Sequence, residues 1–416
     1  MWKFWPFRKT ARPSAPPPAS PPPAAPPQAA RPRVSAPPLL SRSSNAFAFD
    51  LWGQVGKKVP GNLALSPASI TFALAMTWGG ARGETASEMQ RVLHLEGASG
   101  DILASAGKLL QDWSAGTGST LQLVNRLFGE KTYTFDQSYL DLTQTTFGAA
   151  LEPVDFANDS QGVRGFINEW VAQQTADRIR DLVPPEGVDG RTRLALVNAI
   201  YFKATWANPF EEDSTRDEPF FLAPDTKKDV SMMHGEDSYR FAALEGVKLL
   251  ELPYEARDAA MIFVLPDAVD GLDALERTLT NARLDGWIAA MEYETVRVVL
   301  PRCEVDPADA ITLADALREL GMQRAFTREA DFTGIARSPR PGDELLLSEV
   351  FHKTFVRIDE QGTEAAAGTA VIMVEGSAME EEPPKEFRAD HPFLFFLRDT
   401  RSGMLLFMGR IADPSA

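Results

Sequence analysis

The residues able to do covalent or metal chemistry are few in this chain of 416. There is one cysteine, Cys303, and there are four histidines, His94, His234, His352 and His391, none close to another in sequence. One cysteine excludes an internal disulfide framework and every multi-cysteine metal site. Scattered histidines give little material for a histidine metal cluster. No G-x-S-x-G elbow, Walker loop, H-E-x-x-H or C-x-x-C occurs. Gly79-Gly80-Ala81-Arg82-Gly83 lacks the spacing of a dinucleotide loop and reads as a helix stop. Cys303, beside Pro301-Arg302 at a strand end, reads as a buried inert thiol rather than a nucleophile. No cofactor or metal is expected, and enzyme chemistry survives only as an unrecognised pair of carboxylates.

The elements that must position any site are a mixture of helices and buried strands. Phe47, Leu51 and Val55 recur every four residues in NAFAFDLWGQV, an amphipathic helix. Ser66-Pro67 is an N-cap followed by proline at the first helical position, opening a helix through ITFALAMTW that stops at Gly79-Gly80. FINEWVAQQTADRIRDL at 166–182 carries helical spacing. Leu194–Phe202 is a nearly continuous apolar run, the mark of a strand covered on both faces. AAMIFVLP near 259–266 and TVRVVLP near 295–301 are strands ending at proline. FLFFLRD and MLLFMGRI, joined by Thr400-Arg401-Ser402-Gly403, form a C-terminal hairpin. Strands and helices do not strictly alternate, so the fold class is α+β rather than a doubly wound sheet.

Two stretches stand apart in composition. Thirteen of the 31 prolines lie within residues 1–38, and no Asp or Glu precedes Asp50. Residues 1–44 therefore read as a disordered, Pro-rich basic linker and 45–416 as the folded body. Setting aside the linker's seven basic residues leaves 35 basic against 58 acidic, a net charge of −23. Such a surface repels phosphate, so nucleic acid and anionic membranes are poor partners. No apolar run is long enough to span a bilayer. The second stretch is EQGTEAAAGTAVIMVEG at 360–376. Ala365-Ala366-Ala367-Gly368 commits to no element, and Thr369–Val374 is uncharged and strand-prone, a window that proteins normally hide. On the residues alone it reads as a plain buried strand after a flexible turn.

A series of blocks in fixed order resembles the serpin family of serine protease inhibitors, here taken as a bacterial-type member with a Pro-rich N-terminal extension. NLALSPASI at 62–70, Gly83-Glu84-Thr85, LVNAIYFKATW at 196–206 and LELPY at 250–254 come first. LGMQRAFTREADFTGI at 320–335, HKTFVRIDEQGTEAAAGTAV at 352–371 and FRADHPFLFFLRD at 387–399 follow, so the match runs from Asn45 to Pro414, about 370 residues. The resemblance implies one domain with three β-sheets, eight or nine helices and an exposed reactive-centre loop. It further implies suicide inhibition of a serine endopeptidase, with cysteine endopeptidases as a second target class. The protease cleaves the loop and becomes acylated, so the nucleophile belongs to the partner. The cleaved loop then enters the main sheet as a new strand, a known form of strand addition. The alternative the family offers is a non-inhibitory binding or chaperone-like member.

Insertion requires alternate side chains to enter the core. The hinge expected from the resemblance is Glu360, Gly362, Thr363, Ala365, Ala366, Ala367, Gly368 and Thr369. Thr363, Ala365, Ala367, Thr369, Val371 and Met373 form one alternating set, small and then apolar, without charge. That composition is compatible with inhibition. Ser66, Ser69, Asn198 and His352 match a polar cluster under the sheet's opening point, and Trp206 matches the aromatic where the loop enters. Arg302 and Glu360 are a candidate ion pair there. Counting from Glu360 places the reactive bond at Gly376–Ser377, with Met373, Glu375 and Met379 as alternatives. Gly376 suits a small primary pocket, elastase-like or subtilisin-like, and no Lys or Arg lies between Glu360 and Lys385 to serve a trypsin-like enzyme. A monomer prone to loop–sheet polymers is expected. Family habit points to an extracellular or cell-envelope site, and the lack of a recognisable signal peptide leaves cytoplasmic placement as the alternative.

Overall fold

The computed structural model describes residues 38–115, 120–338, 344–363 and 383–415. Helix α1 (Leu39–Val55), strand β1 (Leu63–Leu65) and helices α2 (Pro67–Gly80), α3 (Gly83–Val92) and α4 (Ser99–Ser114) come first. Strand β2 (Thr120–Glu130), α5 (Gln137–Phe147), β3 (Ala150–Val154), α6 (Phe156–Gln174) and β4 (Leu194–Thr205) follow. Next is an antiparallel tract of β5 (Arg216–Ala223), β6 (Thr226–Leu244), β7 (Val247–Pro253) and β8 (Ala259–Pro266). Then come α7 (Leu272–Thr278), α8 (Asn281–Ala290), β9 (Glu292–Pro301), β10 (Cys303–Val305), β11 (Ile311–Thr312) and α9 (Ala314–Glu319). The last strands are β12 (Phe351–His352), β13 (Val356–Ile358), β14 (Gly362–Thr363), β15 (Lys385–Arg388), β16 (Phe393–Asp399) and β17 (Leu405–Ile411).

The strands form a nine-stranded sheet in the order β1-β17-β16-β8-β7-β6-β9-β15, with β5 on β6, and a four-stranded sheet in the order β14-β4-β2-β3. Two short ladders, β10–β13 and β11–β12, complete the set. With nine α-helices among the described residues, the architecture is α+β as the sequence predicts.

Helix α2 joins the two large sheets. Its Ser66 cap accepts from Ser69 N–H, Pro67 occupies the first turn, and all its residues except Ala73 and Gly79 are buried. A helix apolar on every side belongs in a core. Gly80 ends it where a side chain would collide with Ile335, 2.1 Å from a Cβ there. Strand β4 is covered on both faces. Ile200, Phe202 and Ala204 face the main core, while Val197 and Ala199 pack in a second core with Val163, Ile167 and Val171 of α6.

Two elements depart from the sequence reading. Helix α1 begins at Leu39, six residues before Asn45, because Leu40, Ser41, Ser43 and Ser44 are already buried. The helix expected at 166–182 instead spans Phe156–Gln174, capped by Asp155. It stops where Thr175 turns its hydroxyl onto Val171 O (2.9 Å) and accepts from Ile179 N–H (3.1 Å). Ala176 and Asp177 then take left-handed backbone, with φ of 48° and 64°. Ile179 and Leu182 continue the apolar spacing and are buried, but on irregular chain. Periodicity reports which residues are covered and not which backbone carries them.

Candidate functional site

The chain reverses tightly after β13. Asp359 N–H donates to Gly362 O (3.1 Å) and Gly362 N–H returns to Asp359 O (3.3 Å). Gly362 has φ +151°, and a Cβ there would lie 2.1 Å from Ala204 O, so only glycine fits. The reversal lays Gly362 and Thr363 antiparallel on β4, opposite Thr205 and Ala204. Thr363 is buried on the core face, its hydroxyl 2.5 Å from the Tyr254 hydroxyl.

A polar lock surrounds this turn. Glu360, only 4% exposed, receives Arg302 Nε at 2.6 and 2.7 Å and the Thr215 hydroxyl at 2.5 Å. Burial opposes the charge on Glu360, but the bonds from Arg302 and Thr215 outweigh it and hold the carboxyl below the usual range. The same hydrogen bond raises the Arg302 guanidinium. Trp206 fastens the other side: its indole N–H donates to Asp359 O (2.9 Å), and its backbone N–H to Gln361 O (2.9 Å). The indole stacks on Tyr254 at 4.5 Å and 17°.

A second network lies deeper, where α2 meets β4 and β12. His352 Nε2 accepts from Ser66 N–H at 3.0 Å, which requires a neutral ring. Burial pushes its pKa down to about 3. The Ser66 hydroxyl donates to Leu406 O (2.7 Å) and accepts from Ser69 N–H (3.2 Å). The Ser69 hydroxyl bonds Asn198 Oδ1, and Asn198 Nδ2 donates to Asn125 Oδ1 at 2.6 Å. Ser66, Ser69 and His352 are buried, while Asn198 is half-buried where it lines the cleft.

Beside this network lies a narrow cleft with a cavity volume of about 90 Å³. Leu194–Asn198 of β4 form one wall and Leu346–His352 the other, with Ser69, Ile70, Ala73, Leu74 and Thr77 of α2 among its lining. Leu182, Val183, Gly187 and Val188, from the connection after α6, line it as well.

The structure therefore brings Ser66, Ser69, Asn198 and His352 into one network, and Trp206, Arg302, Glu360, Gly362 and Thr363 into another. Ala365, Ala366, Ala367, Gly368 and Thr369 lie outside the described residues, as do Met373, Glu375, Gly376, Ser377 and Met379. Sequence reasoning missed Tyr254, Thr215 and Asn125. Tyr254 ends the LELPY block and could have been found there; Thr215 and Asn125 carry no local signal. Cys303 is buried and its thiol is pushed up to about 12 by burial, against nucleophilic use. Among the described residues no group of three His, Cys, Asp or Glu could hold a metal ion, and no helix is long and apolar enough to cross a membrane.

Comparison with known proteins accords with this geometry. The family described as Serpin (serine protease inhibitor) matches residues 42–414. Human Serpin B3 is 39% identical over 395 residues, covering 90% of this chain and 99% of its own length. The leukocyte elastase inhibitor of Sus scrofa is 40% identical over 385 residues, with coverage of 90% and 99%. Both relatives are mammalian, so the comparisons give the bacterial-type expectation no support. A loop-inserted structure of a cleaved ovalbumin mutant superposes with a TM-score of 0.80 at 28% identity, covering 90% of this chain and 100% of that one. This chain belongs to the serpin family, a family of serine protease inhibitors rather than enzymes.

Proposed function

We propose that this chain is a suicide-substrate inhibitor of serine endopeptidases that traps the acyl-enzyme by inserting its cleaved loop beside β4. The observation that carries this is the start of the strand: Thr363 already lies opposite Ala204, and the β4 wall of the cleft lies further along the same strand. Extending that register would set Ala365 opposite Phe202, Ala367 opposite Ile200 and Thr369 opposite Asn198, small residues against large and one polar pair against the network. Glu364 would fall opposite Lys203, an opposite-charge cross-strand pair. Met373 would reach Leu194, the first residue of β4. About a dozen new ladder hydrogen bonds at roughly 1 kcal/mol net each supply on the order of 10 kcal/mol. The uncleaved form is then held kinetically rather than at its minimum.

The target class follows from Gly376 and from the relatives. One of them is named an elastase inhibitor, and glycine before the bond suits a small primary pocket, elastase-like or subtilisin-like. Residues 1–38 serve as a Pro-rich linker outside the inhibitory unit, since Leu39–Ser44 already belong to the buried helix α1, and the chain works as a monomer at risk of loop–sheet polymers. The test is to mix the protein with one elastase-like and one subtilisin-like protease and analyse the products by denaturing gel and mass spectrometry. A covalent adduct and a released peptide ending at Ser377 on its N-terminal side are expected. Cleavage without adduct, together with an unchanged melting temperature of the cleaved chain, would instead establish the non-inhibitory alternative.

A further inference from the structure

A second cavity, of about 480 Å³, lies between residues 55–64 and residues 305–316, and it shares no lining residue with the cleft. Residues 55–64 join α1 to β1, and residues 305–316 carry β11 and the start of α9. Val55, Val59 and Leu63 form one wall; Val305, Pro307 and Ile311 form the other. Both walls are tied down. The Arg410 guanidinium donates to Gly56 O (3.1 Å), Gly61 O (2.7 Å) and Val59 O. Opposite, Lys353 Nζ donates to Ala308 O (3.0 Å), and Ile311 and Thr312 pair with His352 and Phe351. The cavity is therefore formed before any ligand arrives, and its volume is that of a small-molecule site.

The charged and amide side chains of the lining are committed elsewhere, with one exception. Lys58 pairs with Glu319 (2.8 Å), and Asp315 pairs with Arg318 (2.7 Å). Asn62 Nδ2 donates to Asp413 O (2.7 Å), and its Oδ1 accepts from Ala412 N–H (2.8 Å) and Asp413 N–H (3.0 Å). The exception is Asp309, which is exposed on the lining and has no ionic partner among the described residues. An apolar recess with one uncompensated carboxylate is complementary to an apolar body that carries one cation. The geometry points to a binding site for a small amphipathic amine, its hydrocarbon between the two walls and its ammonium on Asp309. A carboxylate-headed chain of the same length is repelled by Asp309, and an uncharged one gains nothing from it. The site goes beyond protease inhibition and does not rest on it, because its lining includes no residue of the cleft or of the turn at Glu360–Thr363.

The test is calorimetric titration of the full chain with n-butylammonium, n-octylammonium, n-octanol and n-octanoate. Octylammonium should saturate a single site and bind about two- to fivefold tighter than octanol, the factor that one solvent-exposed ion pair supplies. Octanoate should bind weakest. Each methylene added between butylammonium and octylammonium should tighten binding by about two- to fourfold as it enters the walls. Asp309→Asn should bring octylammonium down to octanol and leave octanol unchanged. Because the folded body is acidic overall, Asp101→Asn, an exposed acid outside the lining, is the control for general attraction and should change neither. Ala308→Phe keeps the carbonyl that Lys353 holds and fills the cavity from an exposed position; it should weaken octylammonium and octanol alike by tenfold or more. Equal affinity for octylammonium and octanol in the parent, or equal losses in Asp309→Asn and Asp101→Asn, would overturn the ammonium seat. Undiminished binding in Ala308→Phe would place the ligand outside this cavity and overturn the site, as would a parent that binds none of the four.

Discussion

Replacing Thr363 by arginine tests the insertion reading at its first step. Thr363 is 4% exposed, faces Ala204 across the ladder, and bonds the Tyr254 hydroxyl at 2.5 Å. Burial lifts the Tyr254 phenol well above its ordinary pKa, so the partner is a neutral hydroxyl that offers no counter-charge. A guanidinium there is buried without a partner, at a cost of several kcal/mol, and the lost hydrogen bond adds about 1 kcal/mol. Arginine therefore leaves this place for solvent in the uncleaved chain, and returning it to the sheet costs the sum, roughly 5 kcal/mol, before insertion gains anything. Each further ladder bond returns about 1 kcal/mol net. Some five residues must therefore enter uphill, which slows insertion by about 10³-fold or more. Deacylation of the protease then wins. On denaturing gels Thr363→Arg should be cleaved to completion with no adduct, and the cleaved chain should melt near the uncleaved one. Thr363→Val keeps the shape and loses only the bond to Tyr254, so it should slow insertion less than tenfold and still form adduct. An adduct yield for Thr363→Arg within twofold of the parent would refute the reasoning, because Thr363 would then not lie on the inserting face.

Three further outcomes follow from the same geometry. Lys203→Glu would set like charges opposite Glu364 and slow loop insertion by about two- to fivefold, from a cross-strand term of up to about 1 kcal/mol; the Lys203→Glu, Glu364→Lys double variant should recover the parent rate, and no recovery would exclude the proposed register. His352 stays neutral when folded down to about pH 3, whereas in an unfolded chain it protonates near 6.5. Between these values the unfolded state binds the extra proton, so the contribution is whole above about pH 6.5 and drains as pH falls, by about 1.4 kcal/mol per unit. Urea unfolding against pH should show that slope in the parent and a slope shallower by one proton in His352→Gln; coincident slopes would remove His352 as the titrating group. Arg302→Ala leaves the buried Glu360 carboxylate with the Thr215 hydroxyl but without its cation. Because Arg302 is 47% exposed, screening keeps the loss modest, yet the turn should loosen and the rate of loop insertion after cleavage should change; an unchanged rate would show the pair to be incidental to insertion.

Much of the scaffold was legible from local rules. Ser66-Pro67 marked the start of α2, because a cap and a first-turn proline act within one turn of chain. The apolar run from Leu194 gave a doubly covered strand, and AAMIFVLP at 259–266 gave β8 with its bounds. The end of α6 was not legible. Ile179 and Leu182 keep helical spacing and are buried in the second core, but on irregular chain rather than on a helix, and burial pattern is all that periodicity carries.

Order and composition along the chain by themselves determined the family blocks and the uncharged alternating hinge from Thr363 to Met373. These are properties of residue type and near spacing, which a chain carries before it folds. Only the tertiary structure decided which groups meet. Arg302 and Glu360 lie 58 residues apart and Thr215 and Glu360 145 apart. Lys353 reaches Arg180 O across 173 residues. A lysine is solvated by default, and nothing next to Lys353 in sequence marks it for burial. Its two acceptors are backbone carbonyls, which every residue has, and only the packing of residues 352–355 against α6's connection and against the β10–β11 loop places Arg180 O and Ala308 O within reach of the ammonium.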